Sequence, residues 1–245
     1  ANLSKYLVKE TLKEGKVLVF LKPCDTYSFN QLLSEHRVNR EKVYVVGVPC
    51  DGMADVERLR AAGITGIKSV AFDGDRVTVD TIYGTREANK ADVLAGRCAD
   101  CKSHKHVAYD ELLGEDGEVL DNHRFDMVAK LENMSADERF AFWRGELSRC
   151  IRCNACRNAC PACTCEKCVF DNAESGVENK AAADSFEENM FHIIRAFHVA
   201  GRCTDCGECS RVCPEHIPLH LLNRKFIKAI NELYGDYQAG ETVNE

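Results

Sequence analysis

The sequence predicts an α/β N-terminal part, a short parallel sheet plus a hairpin, followed by an α-helical domain organised around cysteines. Three observations predict this. Strand-like and helical runs alternate over the first ~95 residues, the pattern from about residue 120 onward is helical, and 11 of the 15 cysteines fall between Cys150 and Cys213. The boundary is set between residues 118 and 119, giving a domain of 1–118 and a domain of 119–245.

Taken in order, Lys16 to Leu21 reads as a strand, and Asp25 can cap a helix running to about His36. Val43 to Val48 is a second buried strand, and Asp51 can cap a helix through about Ala62. Strand, helix, strand, helix predicts a parallel pair joined by a right-handed crossover. Ile67 to Phe72 and Arg76 to Tyr83 predict a hairpin turned at Asp73-Gly74. Neither the glycine fingerprint of dinucleotide-binding folds nor a phosphate-cradling loop occurs. Ser135 and Glu138 form a capping-box pattern for a helix ending near Arg149. Ser185 and Glu188 form another, and Phe186, Met190, Ile193, Ile194 and Phe197 recur on one face up to Gly201. Leu219 to Tyr234 is a final helix. Asp171 to Asp184, polar and acidic, reads as a surface loop, and the tail from Gly235 as frayed or bound by a partner.

Two stretches match each other: Cys150-Ile-Arg-Cys153-Asn-Ala-Cys156-Arg-Asn-Ala-Cys160-Pro161 and Cys203-Thr-Asp-Cys206-Gly-Glu-Cys209-Ser-Arg-Val-Cys213-Pro214. A cubane [4Fe-4S] cluster needs one thiolate on each of four irons. Three cysteines at two-residue gaps wrap three corners, and the fourth, before proline, reaches the neighbouring cluster. The spacing therefore assigns one cluster to Cys150, Cys153, Cys156 and Cys213, and a second to Cys203, Cys206, Cys209 and Cys160. Zinc sites use paired cysteines too, but not triple runs with a trailing Cys-Pro. The chain is long, its cysteine count is odd and no signal-peptide pattern opens it, so a disulfide framework does not fit.

Cys24 follows the first strand and Cys50 the second. If the strands are parallel neighbours, both thiols lie at the carboxyl edge of one sheet, where open α/β sheets bind ligands. Cys98 and Cys101 supply two more thiols, so Cys24, Cys50, Cys98 and Cys101 are expected to bind a third [4Fe-4S] cluster. Small buried core residues, or a redox dithiol, are the alternatives. Cys163, Cys165 and Cys168 remain as further metal-ligand candidates, one thiol short of a fourth cubane. The missing ligand would come from the early group, a histidine or a partner chain. His192, His198, His104 and His106 read as surface or hydrogen-bonding residues near the motifs. Arg97, Arg152, Arg195 and Arg202 read as solvated charges, or as cations offsetting cluster charge.

The totals exclude other classes. A net charge of −7 argues against nucleic acid or an anionic membrane surface as the main partner. The longest unbroken apolar run, Val17 to Leu21, is far below the ~18 residues a membrane helix needs.

Lys22-Pro-Cys24-Asp, Gly47-Val-Pro-Cys50-Asp-Gly, Arg97-Cys98-Ala-Asp-Cys101 and His198-Val-Ala-Gly-Arg-Cys203-Thr-Asp-Cys206-Gly-Glu-Cys209 together resemble the beta-subunit family of deazaflavin-coenzyme-reducing hydrogenases and formate dehydrogenases. More closely, they resemble the dicluster iron–sulfur proteins related to it, over roughly residues 1 to 225. The resemblance implies a cytoplasmic electron-transfer subunit of an anaerobe's redox complex. Its partners would be a flavoprotein, formate dehydrogenase, hydrogenase or heterodisulfide-reductase-like subunits. No residue is then expected to be catalytic. The alternative is a subunit that itself oxidises or reduces a deazaflavin or nicotinamide coenzyme on a flavin (FAD). Flavin-binding members carry a longer α/β region, which argues against flavin. The chain opens at Ala1, where similar proteins have an upstream extension, so a missing start is expected.

Overall fold

The computed structural model describes residues 1–120, 123–172 and 185–243, the last stretch without the side chains of 185–189. The Ser185–Glu188 capping box, Phe186, and most of the acidic stretch after Asp171 lie outside what is described.

Helix α1 (Ser4–Glu10) precedes β1 (Val17–Leu21), α2 (Pro23–Ser34) and β2 (Val43–Gly47). The two strands pair in parallel, Val17 opposite Val43 and Leu21 opposite Gly47. One face of this pair is the first core. Val19, Leu21, Val43 and Val45 pack with Leu7 of α1 and with Phe29 and Leu32 of α2. The alternation follows from the pleat, which sends Leu18, Phe20 and Tyr44 to the opposite, exposed face. The helix caps differ from expectation. Lys22 is the N-cap of α2, with Pro23 in its first turn, where a fixed φ and a missing N–H cost nothing. Asp25 sits inside that turn and pairs with Lys22.

Helix α3 (Val56–Ala61) is capped by Asp55, whose carboxylate accepts from the N–H groups of Glu57 and Arg58. Asp51 lies instead in the extended loop carrying Cys50. Strands β3 (Ile67–Asp73) and β4 (Arg76–Thr81) form the expected hairpin, and β5 (Gly84–Asn89) continues it into a three-stranded antiparallel sheet. Val77 and Val79 bury one face of it against Leu59, Ile64 and Val93. Two short helices, α4 (Lys90–Val93) and α5 (Gly96–Ala99), lead to Cys98 and Cys101. Strand β6 (Glu111–Leu112) then returns to β2 in parallel, giving the order β1-β2-β6.

The helical part comprises α6 (Asp126–Glu132), α7 (Ala136–Leu147), α8 (Ala155–Ala159), α9 (Ser185–His198), α10 (Glu208–Arg211) and α11 (Leu219–Tyr234). The capping box on α7 forms as the sequence predicts, Ser135 Oγ accepting from Glu138 N–H. On α9 the apolar stripe is split, with Ile194 packed against the core. Phe191, His192, Arg195, Ala196 and Val199 are buried, while Ile193 and Phe197 are exposed. The core beneath them contains Cys156, Cys209, Leu147, Phe170 and Ile217.

The tail is docked rather than frayed. Ala239 is buried, Tyr237 donates to the Gly201 carbonyl at 2.9 Å, and Gly240 adopts φ +75° against α2. A Cβ at Gly240 would stand 1.8 Å from the Tyr27 carbonyl oxygen. Gly240→Ala is therefore expected to release the tail at a cost of about 1–2 kcal/mol, limited because a chain end can move away. Earlier proteolytic trimming after Tyr234 reads this, and unchanged trimming would refute it.

Candidate metal centres

The two matched cysteine runs fold into matched loops. Each places two residues in the left-handed region, Arg152 (φ 53°) and Asn154 (φ 61°) in the first, Asp205 (φ 55°) and Gly207 (φ 65°) in the second. Asn154 and Gly207 are the N-caps of α8 and α10, so the third cysteine of each run, Cys156 and Cys209, rides in a helical first turn. The fourth follows each helix, at Cys160 and Cys213. Alternating left- and right-handed residues turn successive backbone N–H groups to one side, making a concavity that suits anions. The sulfurs use it. Arg152 N–H donates to Cys150 Sγ at 3.4 Å, and the Asp205, Glu208 and Ser210 N–H groups donate to Cys203, Cys206 and Cys209.

Cys150, Cys153, Cys156 and Cys213 line one cavity, walled by Phe191 and Ile217. His192, 2% exposed, reaches in with Nε2 3.3 Å from Cys150 Sγ. Burial holds its pKa down to about 3, with Arg195 and Arg152 adding to the effect, so the ring is neutral and can donate from Nε2. Burial likewise pushes the Cys156 thiol up to about 12, although Arg195 opposes it. Cys160, Cys203, Cys206 and Cys209 are near enough for Cys160 to raise each of the other three thiols, after burial, which is the larger cause.

The four early thiols also come together. Cys24, Cys50, Cys98 and Cys101 line a single cavity, in company with Cys206 of the second run. Because β1 and β2 are parallel, the residues after them meet at one sheet edge, as the sequence implies. Burial raises the Cys24, Cys50 and Cys101 thiols, the Gly52 backbone easing Cys50 and the Ser103 backbone easing Cys101. A different cavity holds Cys163, Cys165 and Cys168. That separates them from the early group.

Arg97, Arg152 and Arg195 are buried at 9%, 8% and 3% exposure rather than solvated. Arg97 crosses from α5 to the second loop, donating to the Cys206 carbonyl at 3.1 Å and pairing with Glu208. Burial alone would raise the Glu208 carboxyl, but Arg211 and Arg97 hold it below the usual carboxylate range. Arg152 stacks 4.3 Å from the Phe191 ring, and Arg195 donates to the Cys156 carbonyl at 3.2 Å. Arg202 forms a two-pronged pair with Glu35, the C-cap of α2. His106 is a fold residue, held between Asp116 and the Leu21 carbonyl. His198 is exposed on the wall of the Cys163 cavity, and His104 borders the early-thiol cavity.

Sequence reasoning missed Lys102, Asn223 and Arg224. Arg224, 1% exposed, joins α11 to Asp205 and Asp100, one between the cysteines of each CxxC it faces. A charge three residues after Leu221 in an otherwise apolar helix stripe is the signal that marks it.

The residues fit [4Fe-4S] groups. Sets of thiols line two cavities, one with Cys150, Cys153, Cys156 and Cys213 and one with the early four, and N–H donors and buried cations stand beside them. Among the described residues, no three Cys, His, Asp or Glu side chains stand close enough to hold a single metal ion.

Fold and thiol sets together define an iron–sulfur protein. Residues 146–217 match the family model of the 4Fe-4S dicluster domain. The chain is 21% identical to the F420-dependent formate dehydrogenase subunit beta of Methanocaldococcus jannaschii, over 94% of this chain and 75% of that one. It is 24% identical to the F420-dependent formate dehydrogenase 1 subunit beta of Methanococcus maripaludis, over 79% of this chain and 65% of that one. Together these likenesses are consistent with a dicluster iron–sulfur subunit related to that beta-subunit family. These likenesses support an iron–sulfur electron-transfer subunit. Among the described residues, no helix is long and apolar enough to cross a membrane.

Proposed function

We propose that the chain is the electron relay of a multi-subunit oxidoreductase, with three [4Fe-4S] clusters in line. Two would sit in residues 119–245, on Cys150, Cys153, Cys156 and Cys213 and on Cys203, Cys206, Cys209 and Cys160. A third, on Cys24, Cys50, Cys98 and Cys101, would sit in residues 1–118. The observation that carries this reading is that Cys206 lines the same cavity as the four early thiols. A ligand of the second cluster would then border the third, and cofactors so placed suit electron transfer.

When bound, the clusters supply reversible one-electron transfer; the protein supplies ligands, spacing and a tuned surrounding. The nested N–H groups stabilise the thiolates. Arg97, Arg152 and Arg195 offset their charge, and neutral His192 donates towards Cys150. No acid, base or nucleophile is required of this chain. The formate dehydrogenase names of its relatives support a formate dehydrogenase-type assembly as the complex, with hydrogenase or heterodisulfide-reductase-like complexes as the other candidates.

Iron, acid-labile sulfide and flavin per chain, measured on protein purified without oxygen, test the reading. At least about 12 irons without flavin are expected, four for each cubane. Cys24→Ser should remove about four of them and leave the rest, again at four per cubane. Full iron retention in that variant would sink the third site, and stoichiometric flavin would move the chain to the coenzyme-reducing reading.

A further inference from the structure

We infer that Cys163, Cys165 and Cys168 hold a further [4Fe-4S] cluster with only three thiolates from this chain. The inference deepens the relay reading and rests on it only in treating the chain as an iron–sulfur carrier. The three thiols border a cavity of about 330 Å³, far more room than one metal ion needs. They do not converge on a single ion. The remaining thiols are spent elsewhere. Eight serve the paired runs, and the early four ring a separate cavity.

The cavity wall is built for an anion. Lys5, Lys9, Arg157, Arg195 and Arg202 all border it. Arg195 is 3% exposed, and its Nε has no hydrogen-bond partner. A buried guanidinium N–H facing nothing is costly unless an acceptor arrives. The loop is also pinned from outside. Lys5 of α1 donates to the Cys163 carbonyl, and Arg37 donates to the Thr164 carbonyl at 2.7 Å. These anchors hold the middle of the cysteine loop against the α/β part. Asp171 on the wall pairs with Arg157, Glu35 pairs with Arg202, and Glu166 of the cysteine loop pairs with Arg37.

The three-thiolate count leaves one iron without a cysteine. That iron would face the cationic wall, where His198 or an anion from solution can reach it. The site also has a route to the relay. The Cys163 sulfur neighbours that of Cys160, which stands three residues before it. Electrons entering here would pass to the second cluster of the paired runs, which makes that cluster a branch point.

The test uses the full chain, purified without oxygen, with iron, sulfide and zinc measured on wild type, Cys165→Ala, Cys168→Ala and Cys24→Ser. Cys165 is exposed, so its loss threatens little packing. About 16 irons are expected in the wild type, and about 12 in Cys165→Ala and in Cys168→Ala, with the low-temperature spin count of the reduced protein falling by one cluster. Wild-type iron retained in Cys165→Ala, or one zinc per chain lost in its place, overturns the inference. The two readings fail separately. If Cys24→Ser alone loses iron, the relay stands and this site falls; if Cys165→Ala alone loses iron, this site stands and the early-thiol cluster falls.

Discussion

Replacing Arg224 by methionine is expected to destabilise the protein by about 3–5 kcal/mol, the cost of leaving one partner of a buried ion pair uncompensated. The side chain is 1% exposed, and its Nε donates to Asp205 at 2.8 Å. Asp205 carries 2% of its side-chain surface exposed. Without Arg224, the ion pair left to it among the described residues is the one with Arg124, at 3.4 Å. Methionine fills the volume but supplies no charge. Total stabilities of ~5–15 kcal/mol make this a large fraction of the whole. In a chain of this size the apparent melting temperature should fall by roughly 6–20 °C.

The second consequence is more specific. Asp100 lies between Cys98 and Cys101, Asp205 between Cys203 and Cys206, and Arg224 bonds to both. One guanidinium therefore pins a loop from each half of the molecule. Arg224→Met should release iron to a chelator faster from both loops together. Arg224→Lys keeps the charge but not the fork, so it should recover only part of the loss. A melting temperature within a degree or two of wild type, with unchanged iron release, would show that the knot carries no strain on folding.

That knot marks where sequence reading stops. Elements with strong local pattern were legible: the strands at Val17–Leu21 and Val43–Gly47, the hairpin at Asp73-Gly74, the capping box at Ser135, and α11. Strand β5 (Gly-Thr-Arg-Glu-Ala-Asn) has no apolar alternation, because it is an exposed edge whose pairing comes from β4. Strand β6 is two residues long, and Asp110 just before it sets its place through a 2.7 Å bond from Val45 N–H. No periodicity could reveal either. The caps at Asp25 and Asp51 failed because Pro23 starts its helix earlier and Asp55 starts the next one later.

The burial on α9 has a different cause. The apolar stripe counted from the sequence includes Ile193 and Phe197, which are exposed, while His192 and Arg195 are buried. That helix packs over cysteine loops, where an N–H donor or a cation is better company for sulfur than a hydrocarbon. The thiol sets were more legible than the helices around them. Ligand spacing is a local property, and the meeting of Cys24 with Cys50 follows from parallel pairing alone. The crossing of Arg97 to Glu208, which spans 111 positions, is a property of the assembled fold.

Arg97→Met should leave the protein folded and change its redox behaviour. Glu208 is not orphaned by the change, since Arg211 still reaches it at 2.8 Å. The stability loss should therefore be smaller than for Arg224. The charge, however, lies beside Cys24, Cys98 and Cys206 at once, each of which it influences. A cluster gains negative charge on reduction, so removing a neighbouring cation disfavours the reduced form. A unit charge about 8 Å away, at an effective dielectric of about 20, is worth roughly 2 kcal/mol. That is on the order of 90 mV for a one-electron couple, so the affected midpoint potentials should move downward by up to that amount. Glu208→Gln removes the opposite charge from the same place and should move them upward. Redox titration followed by electron paramagnetic resonance reads both. If the two variants shift the potentials in the same direction, packing rather than charge governs this junction, and the idea that Arg97 tunes the passage between the early-thiol site and Cys206 fails. If they shift in opposite directions while the Cys150 set stays put, the buried pair is an electrostatic control on one step of the relay.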